Sequence, residues 1–364
     1  MRRLLCLLGV LLAFVFNCAF VSAEEPADSM ELQYAENFSV DYYSDGAARL
    51  RVQEQDFLLL PDGASVPEGL EKLPRISIPV KDFYLASSSV PDLFLQMNAL
   101  DAVRYTSTDA PSWRIPELRA AVEDAEIFYI GKYSAPDYEA LLTEGCGLAV
   151  ENTMILHNPA TKEKLEALGI PVLIEYSSFE PHPLGRVEWI RLYGLLSGKQ
   201  AEADAFFDRQ VETFMSVQGL EPLHKTLAFF HVTANGGVVV RRANDYITRM
   251  IELAGAENAV NDLPPSDSAL STVTIQMESF YAQARDADVL IYNSTVAGDV
   301  TDMQSFLSQH PLLGDFKAVK EGNVWCTEMS MFQRSSAAAD MIRELRSAVS
   351  GETGENLRYL HRIQ

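Results

Sequence analysis

This sequence has little of what metal and nucleophilic chemistry usually need. Histidine is scarce, with six in 364 residues. His157, His182, His224, His231, His310 and His361 form no close pair of the H-E-x-x-H kind and no His-rich loop. A dedicated zinc or manganese carrier would bring several His and carboxylates together. No G-x-S-x-G elbow and no G-x-x-x-x-G-K-[ST] loop occurs, and the Asn-Gly-Gly at 235–237 lacks the spacing of a dinucleotide loop. Cysteine is scarcer still, with four in the chain. Cys146 and Cys326 lie in different halves, which argues against a disulfide framework; isolated cysteines in apolar surroundings are usually small core residues. Positive charge is short as well: 29 Lys and Arg stand against 51 Asp and Glu, a net charge of -22. Such a chain stays soluble and repels nucleic acid, and the basic stripe that would neutralise a phosphate backbone is absent.

What is present begins with a leader. Met1-Arg2-Arg3 precedes an apolar run from Leu4 to about Val21, and Val21-Ser22-Ala23 offers small residues for cleavage before Glu24. This is the pattern of a secretory signal over residues 1–23, so we expect an exported protein, periplasmic or at the cell surface. Cys18 could carry a lipid anchor, but Asn17 just before it makes a weak lipobox, and cutting after Ala23 fits better. With 48% hydrophobic residues the mature chain can bury a large core, and its length favours two domains.

Residues 24–72 form an N-terminal β extension. "FSVDYY", "SDG", "ARLRV" and "DFLLL" suggest a hairpin around Asp45-Gly46 that adds to the sheet of the lobe behind it. From Arg75 strands and helices alternate. "RISIPV", "FYLAS", "AVRYTS", "EIFYIG", "GLAVE" and "IPVLIEYS" read as strands, and "VPDLFLQMNALD", "IPELRAAVEDA", "PDYEALLTEG" and "NPATKEKLEALG" as helices, the last with Asn158 as N-cap. That rhythm means βαβ units and a parallel sheet. Two helices without intervening strands follow, "PLGRVEWIRLYGLLSG" and "KQAEADAFFDRQVETFMSVQ". Then strands return in "KTLAFFHVT", "DVLIYNS" and "NVWCT", with helices in "DYITRMIELAG", "VTIQMESFYAQA", "DMQSFLSQH" and "SAAADMIRELRSAVSG". The fold class is therefore α/β, with lobes at 73–197 and 220–364 joined by a helix at 198–219.

From about Leu73 onward, roughly three quarters of the chain, the sequence resembles the periplasmic-binding-protein family that serves ABC importers of ferric siderophores, heme and cobalamin. The segments that carry the resemblance are "FYLASSSVPDLFLQMNALDAVRYTS", "APDYEALLTEGCGLAV", "LEALGIPVLIEYSSFEPHPLGRVEWIRLYGLLSGKQAEADAFFD", "DYITRMIELAGAENAV" and "MESFYAQARDADVLIYNS". It implies two Rossmann-like lobes bridged by one long, rigid helix, here Lys199 to Gln218, so that closure is small. It implies a ligand in the cleft between the lobes, no catalysis, and an ABC permease with its ATPase as partners of a monomer. It also implies one exposed glutamate per lobe that docks on arginines of the permease. The matching positions are Glu139 in "DYEALL" and Glu278 in "QMESFY". A carboxylate in a first helical turn is also ordinary helix-dipole chemistry, stabilising by about 0.3–1 kcal/mol.

Ligands of doubly wound sheets meet the loops at the carboxyl ends of strands. In those loops the candidates for ligand contact are Trp113, Lys132, Tyr133 and Arg186 in the first lobe. In the second they are Arg241, Arg242, Tyr246, Met331 and Phe332. Aromatics with a few basic residues suit a flat or bulky anionic ligand, and Lys132, Tyr133, Arg241 and Arg242 stand out because basic loops in an acidic chain need a reason. A ferric siderophore is the leading ligand, with heme, cobalamin or a small oxyanion as alternatives and no intrinsic cofactor. Cobalamin, largely neutral at its periphery, would need the basic loops less. His182 or His231 could serve as an axial heme ligand, but a histidine satisfied by a hydrogen bond is the reading we favour for both. The contrasting class is a secreted two-lobe enzyme, which the lack of a nucleophile–base or clustered Cys/His set disfavours.

Overall fold

The computed structural model describes residues 24–263, 271–351 and 357–364; the leader expected at 1–23, with Cys18, lies outside them. The chain opens with a sheet of its own. Strands β1 (Asp28–Ser29), β2 (Phe38–Tyr42), β3 (Ala48–Val52), β4 (Gln55–Pro61) and β5 (Arg75–Ile78) pair in chain order. The β2–β3 turn is the expected one: Asp45 and Gly46 both take left-handed backbone angles, φ 56° and 76°, which Asp and Gly tolerate. Alternation in β3 buries Ala48, Leu50 and Val52. It leaves Arg49 to pair with Asp56 and Arg51 with Asp41 on the neighbouring strands.

Two expectations change here. "RISI" is a strand but belongs to this first sheet, parallel to β4, rather than opening the alternating region. The hairpin also does not extend the next sheet by strand pairing. Instead the Gln55 side-chain amide donates to the Ile174 carbonyl and accepts from the Ile174 N–H, both at 2.8 Å. One side chain thus satisfies an edge that would otherwise stay open.

The second sheet is all parallel, in the order β10-β9-β6-β7-β8. Its strands are β6 (Phe83–Leu85), β7 (Val103–Thr106), β8 (Phe128–Tyr129), β9 (Leu148–Glu151) and β10 (Val172–Ile174). Helices α1 (Val90–Gln96), α2 (Pro116–Glu123), α3 (Tyr138–Thr143) and α4 (Pro159–Ala167) are interleaved with them. Asn158 stands at the start of α4, but its side chain makes no capping hydrogen bond. The strand order reverses beside β6, the place where such sheets leave a crevice.

The chain then passes through α5 (Pro183–Ser197) and α6 (Gln200–Met215) into the third sheet. Helix α6 is the linking helix expected at 199–218, and it packs against α5 as a pair. Gly198, at φ 73°, ends α5 and turns the chain. The two helices cross closely because Gly194 has no side chain: a Cβ there would meet the Ala203 Cβ at 2.5 Å.

The third sheet runs β14-β12-β11-β15-β16-β17, with β13 also on β11. Its strands are β11 (Thr226–Val232), β12 (Val238–Arg241), β13 (Glu257–Asn258), β14 (Thr272–Ile275), β15 (Val289–Tyr292), β16 (Val324–Thr327) and β17 (Leu360–Arg362). Helices α7 (Tyr246–Leu253), α8 (Met277–Ala284), α9 (Ser294–Ala297), α10 (Met303–Ser308), α11 (Lys317–Lys320) and α12 (Ala338–Ser350) complete it. This sheet is mixed rather than parallel: β12, β14 and β17 are antiparallel to their neighbours. Asn-Gly-Gly at 235–237 closes the β11–β12 hairpin, and the front of "VTIQMESFYAQA" is strand β14, with helix only from Met277.

The largest buried apolar cluster is continuous. It runs from Val40 and Leu50 of the first sheet through Phe83 and Leu148, across Trp189, Tyr193 and Phe207 of the linking helices, to Ile247 and Ile342 of the second lobe. Such a core resists wide opening.

Candidate functional site

A cleft between the lobes encloses about 630 Å³. One wall is the loop after β10, Ser178 to Pro181, with Arg186 from the first turn of α5. The other is the β12–α7 connection, Arg241, Asn244, Asp245 and Tyr246, together with Ser271 and Phe332. Local chemistry places these groups. Asp245 caps α7 by accepting from the Ile247 N–H, which fixes Tyr246 at the helix start. His182 caps α5 in the same way through Leu184, and Pro183 follows it at the first helical position, so Arg186 projects from a rigid helix start.

The cationic groups are stacked on aromatics. The Arg186 guanidinium lies 4.0 Å from the Tyr246 ring centroid, and Arg241 lies 4.7 Å from Phe332 and 5.6 Å from Phe229. Arg241 also faces Asp245 at 3.5 Å. Burial raises the Asp245 pKa, and Arg241 opposes that rise. Among the described residues Arg186 has no carboxylate within ion-pair distance, so its charge is the more available to a ligand. Glu180 is not available: it is buried, accepting from the Trp189 indole and from the Glu36 and Asn37 N–H groups. The site therefore offers two stacked cations, exposed Phe179 and two further rings, the makings of a pocket for a bulky anion.

Four of the sequence candidates, Arg186, Arg241, Tyr246 and Phe332, meet in this cleft. The others do not line it. Met331 is buried beneath it against Met341 and Leu345. Arg242 is held by its backbone N–H, which donates to the Ser271 carbonyl, and its side chain does not line the cleft. Trp113 is buried in a small cluster with Ile115 and Leu118. Lys132 is exposed on the loop after β8, and Tyr133 packs against the core around Tyr105 and Ile130. His231 is buried in β11, and His182 stacks on Tyr34 at 4.6 Å, so neither histidine lines the cleft. Phe179, Asn244 and Asp245 were not singled out in the sequence; all sit in loops at carboxyl strand ends, the signal that could have marked them.

Beside the cleft the lobes are latched. Asp92 of α1 accepts from the Ser336 N–H at 3.0 Å and faces Arg334 at 3.7 Å. Ser335 donates to the Ser89 carbonyl, and the Gln333 amide bonds both Arg114 and Ser112. Burial raises the Asp92 pKa, against which its bonds to Ser336 and the Arg334 charge act.

Glu139 and Glu278 occupy equivalent places. Each is exposed and second in its helix, α3 or α8, and each helix is followed by a strand next to the central strand of its lobe.

A family model described as "Periplasmic binding protein" matches residues 108–328. Two uncharacterized lipoproteins of Methanocaldococcus jannaschii are similar in sequence. One is 23% identical over 237 residues, covering 63% of this chain and 54% of the relative. The other is 26% identical over 312 residues, covering 81% and 76%. The chain thus spans about half the length of the first and three quarters of the second. Among solved structures, a periplasmic binding protein of Veillonella parvula has a TM-score of 0.60 at 17% identity, covering 86% of this chain and 98% of that one. A periplasmic heme binding protein of Vibrio cholerae has a TM-score of 0.57 at 17% identity, covering 73% and 98%. A petrobactin-binding protein of Bacillus subtilis has 0.59 at 12%, covering 74% and 92%. At these identities the structural likeness speaks for the fold.

Proposed function

The chain belongs to the periplasmic binding protein family, whose members are binding components of transport and not enzymes, and on that premise we propose that it delivers an anionic iron chelate, a ferric siderophore, to an ABC importer. It does so as an exported protein outside the cytoplasmic membrane. The observation that carries this reading is the pair Arg186 and Arg241, stacked on Tyr246 and Phe332 in one interlobe cleft. A cleft of about 630 Å³ falls within the range of roughly 300–1,000 Å³ typical of small-molecule sites. Charge-assisted bonds from guanidinium groups would meet the chelate's carboxylate or catecholate oxygens, and the rings would bury its faces. Heme is the second reading: Tyr246, Phe332 and Phe179 suit a flat macrocycle, and the two cations suit its propionates.

In this proposal Glu139 and Glu278 meet arginines of the permease, one per lobe, and set the orientation of docking more than its affinity. The latch at Asp92 and Arg334 and the continuous core keep the lobes nearly fixed, so the permease would sense ligand through a small closure.

The test uses colour. Purified protein lacking the leader is mixed with heme, cobalamin and several ferric siderophores, desalted, and its visible spectrum recorded. A stoichiometric chromophore that survives desalting names the ligand class. If no colour stays with the protein, the chelate reading fails.

A further inference from the structure

Away from the cleft, at the edge of the third sheet, three side chains of different kinds converge. Cys326 lies in β16 with its side chain buried, His361 lies opposite it in β17, and Asp299 stands just after α9. One ligand-type atom from each lies within 4.8 Å of the others. The His361 Nε2 is 3.5 Å from the Asp299 Oδ1, and the Cys326 Sγ is 3.8 Å from that same oxygen. On its other side the imidazole presents Nδ1 to Glu328 Oε1 at 3.5 Å. Nothing in the cleft's chemistry uses this group.

We propose that Asp299, Cys326 and His361 bind one divalent transition-metal ion of the Zn²⁺ type, with Glu328 as the carboxylate that orients the histidine. The spacing supports it. A metal held at about 2.0–2.3 Å from N, O and S ligands in tetrahedral geometry separates those ligands by roughly 3.3–3.8 Å. Two of the three edges here already have that length, so binding needs only a small inward movement of Cys326 or His361. The donor set chooses the ion: thiolate and imidazole favour Zn²⁺ and its neighbours over Mg²⁺ or Ca²⁺, which want oxygen alone. Glu328 supplies what a metal-bound histidine ordinarily has, an acceptor for its second ring N–H, leaving Nε2 free to ligate. The Val300 carbonyl accepts a hydrogen bond from His361 Nε2–H at 3.2 Å; ligation breaks that bond as the ring proton moves to Nδ1 beside Glu328, and the carbonyl or a water is then placed for the remaining position. On binding, the Cys326 proton and, where present, the imidazolium proton pass to solvent, and the ion's charge offsets the carboxylate and thiolate. The ion would tie β17 to β16 and to the 298–300 turn. Glu328 also opens the turn that carries Met331 and Phe332 toward the cleft, its carbonyl accepting from the Met331 N–H at 3.1 Å.

The experiment is titration of the reduced mature protein with Co²⁺ and Zn²⁺ under anaerobic conditions. We expect one equivalent of Co²⁺ to bind with a thiolate-to-metal charge-transfer band, and Zn²⁺ to displace it and bleach the band. Cys326→Ser should abolish the band, and Cys146→Ser should leave it. Because Cys326 is buried and its variant could misfold, the more exposed changes Asp299→Ala and His361→Gln provide the second check, each weakening Co²⁺ binding at least about tenfold. Glu328→Gln should weaken it by about 10–100-fold without removing the band. Sub-stoichiometric binding without a thiolate band overturns the proposal, as does a band that persists in Cys326→Ser or unchanged affinity in both exposed variants. Any of these would leave the cluster as a histidine–carboxylate ion pair beside an inert thiol.

Discussion

The Arg186 guanidinium of α5 lies 4.0 Å from the centre of the Tyr246 ring of α7, so the side chain offered to a ligand also helps join the linking helices to the second lobe. A half-buried stacked cation of this kind contributes about 0.5–2 kcal/mol, and Tyr246 holds the fork in place before any ligand arrives.

Arg186→Gln should therefore weaken binding of an anionic chelate by about 10–100-fold, the loss of one charge-assisted interaction of roughly 1.5–3 kcal/mol. Arg186→Lys should recover little of it, because an ammonium neither forks nor stacks as a guanidinium does. Titration followed by visible absorbance measures both. Binding that is unchanged in Arg186→Gln and Arg241→Gln alike would remove the cleft's cations from the site.

Charge reversal tests docking. The double variant Glu139→Arg plus Glu278→Arg should bind ligand normally, since both residues are exposed helix-start carboxylates outside the cleft, and should fail in uptake. Normal uptake with normal binding would sink the docking assignment.

The N-terminal segment is held down by two buried carboxylates of the α5 region. Glu188 accepts the N–H groups of Gln33, Tyr34 and Ala35, and Glu180 those of Glu36 and Asn37. Gly185 lets the segment lie this close; a Cβ there would stand 2.8 Å from the Tyr34 carbonyl. Glu188→Ala strands three donors and should cost about 3 kcal/mol or more, read as a lower urea midpoint. Limited proteolysis should then cut near residues 33–37. A variant as stable and as resistant as the parent would show that the segment is anchored elsewhere.

Glu151, at the end of β9, is fully buried, and burial pushes its carboxyl pKa up to about 8. The unfolded chain releases that proton near pH 4.3. Its stabilising contribution is therefore complete below that pH and declines as pH rises through about 8, by a few kcal/mol in all. Glu151→Gln should flatten this decline, gaining stability relative to the parent at pH 8.5 over pH 5. His182, with a pKa lowered by burial to about 4, acts in the opposite sense: its contribution is lost as pH falls from about 6.5, and the Glu151 variant should leave that limb unchanged. Urea unfolding across pH decides it; parallel curves for parent and variant would mean Glu151 is ionised in the fold.

Much of the architecture was legible because it rests on local patterns. "FYLAS" and "GLAVE" are continuous apolar runs that only a strand buried on both faces can use, and they became β6 and β9. "VVVR" after Asn-Gly-Gly is strand β12, inside the sheet between β14 and β11, where the binding-loop reading of Arg241 expects a loop; Asn-Gly between apolar stretches is the hairpin signal that marks it. In the cleft, Arg186, Arg241, Tyr246 and Phe332 could be chosen because loops at carboxyl strand ends are where ligands meet such sheets. Trp113 and Met331 came from the same kinds of loop, yet their apolar bulk went into packing, and no local signal separates a ring that faces a ligand from one that faces the core.

What the sequence determined by itself is the order of most elements, the acidity that disfavours nucleic acid, and the family resemblance. Each is a property of neighbouring residues or of the sum over all of them. Tertiary structure alone decided which distant groups meet: Arg186 with Tyr246, Gln55 with the edge of β10, Asp92 with Arg334, Cys326 with His361 and Asp299. Those pairings depend on strand order and helix crossing, set by the closest packing of the whole core, and small sites such as Gly194 against Ala203 fix the crossing.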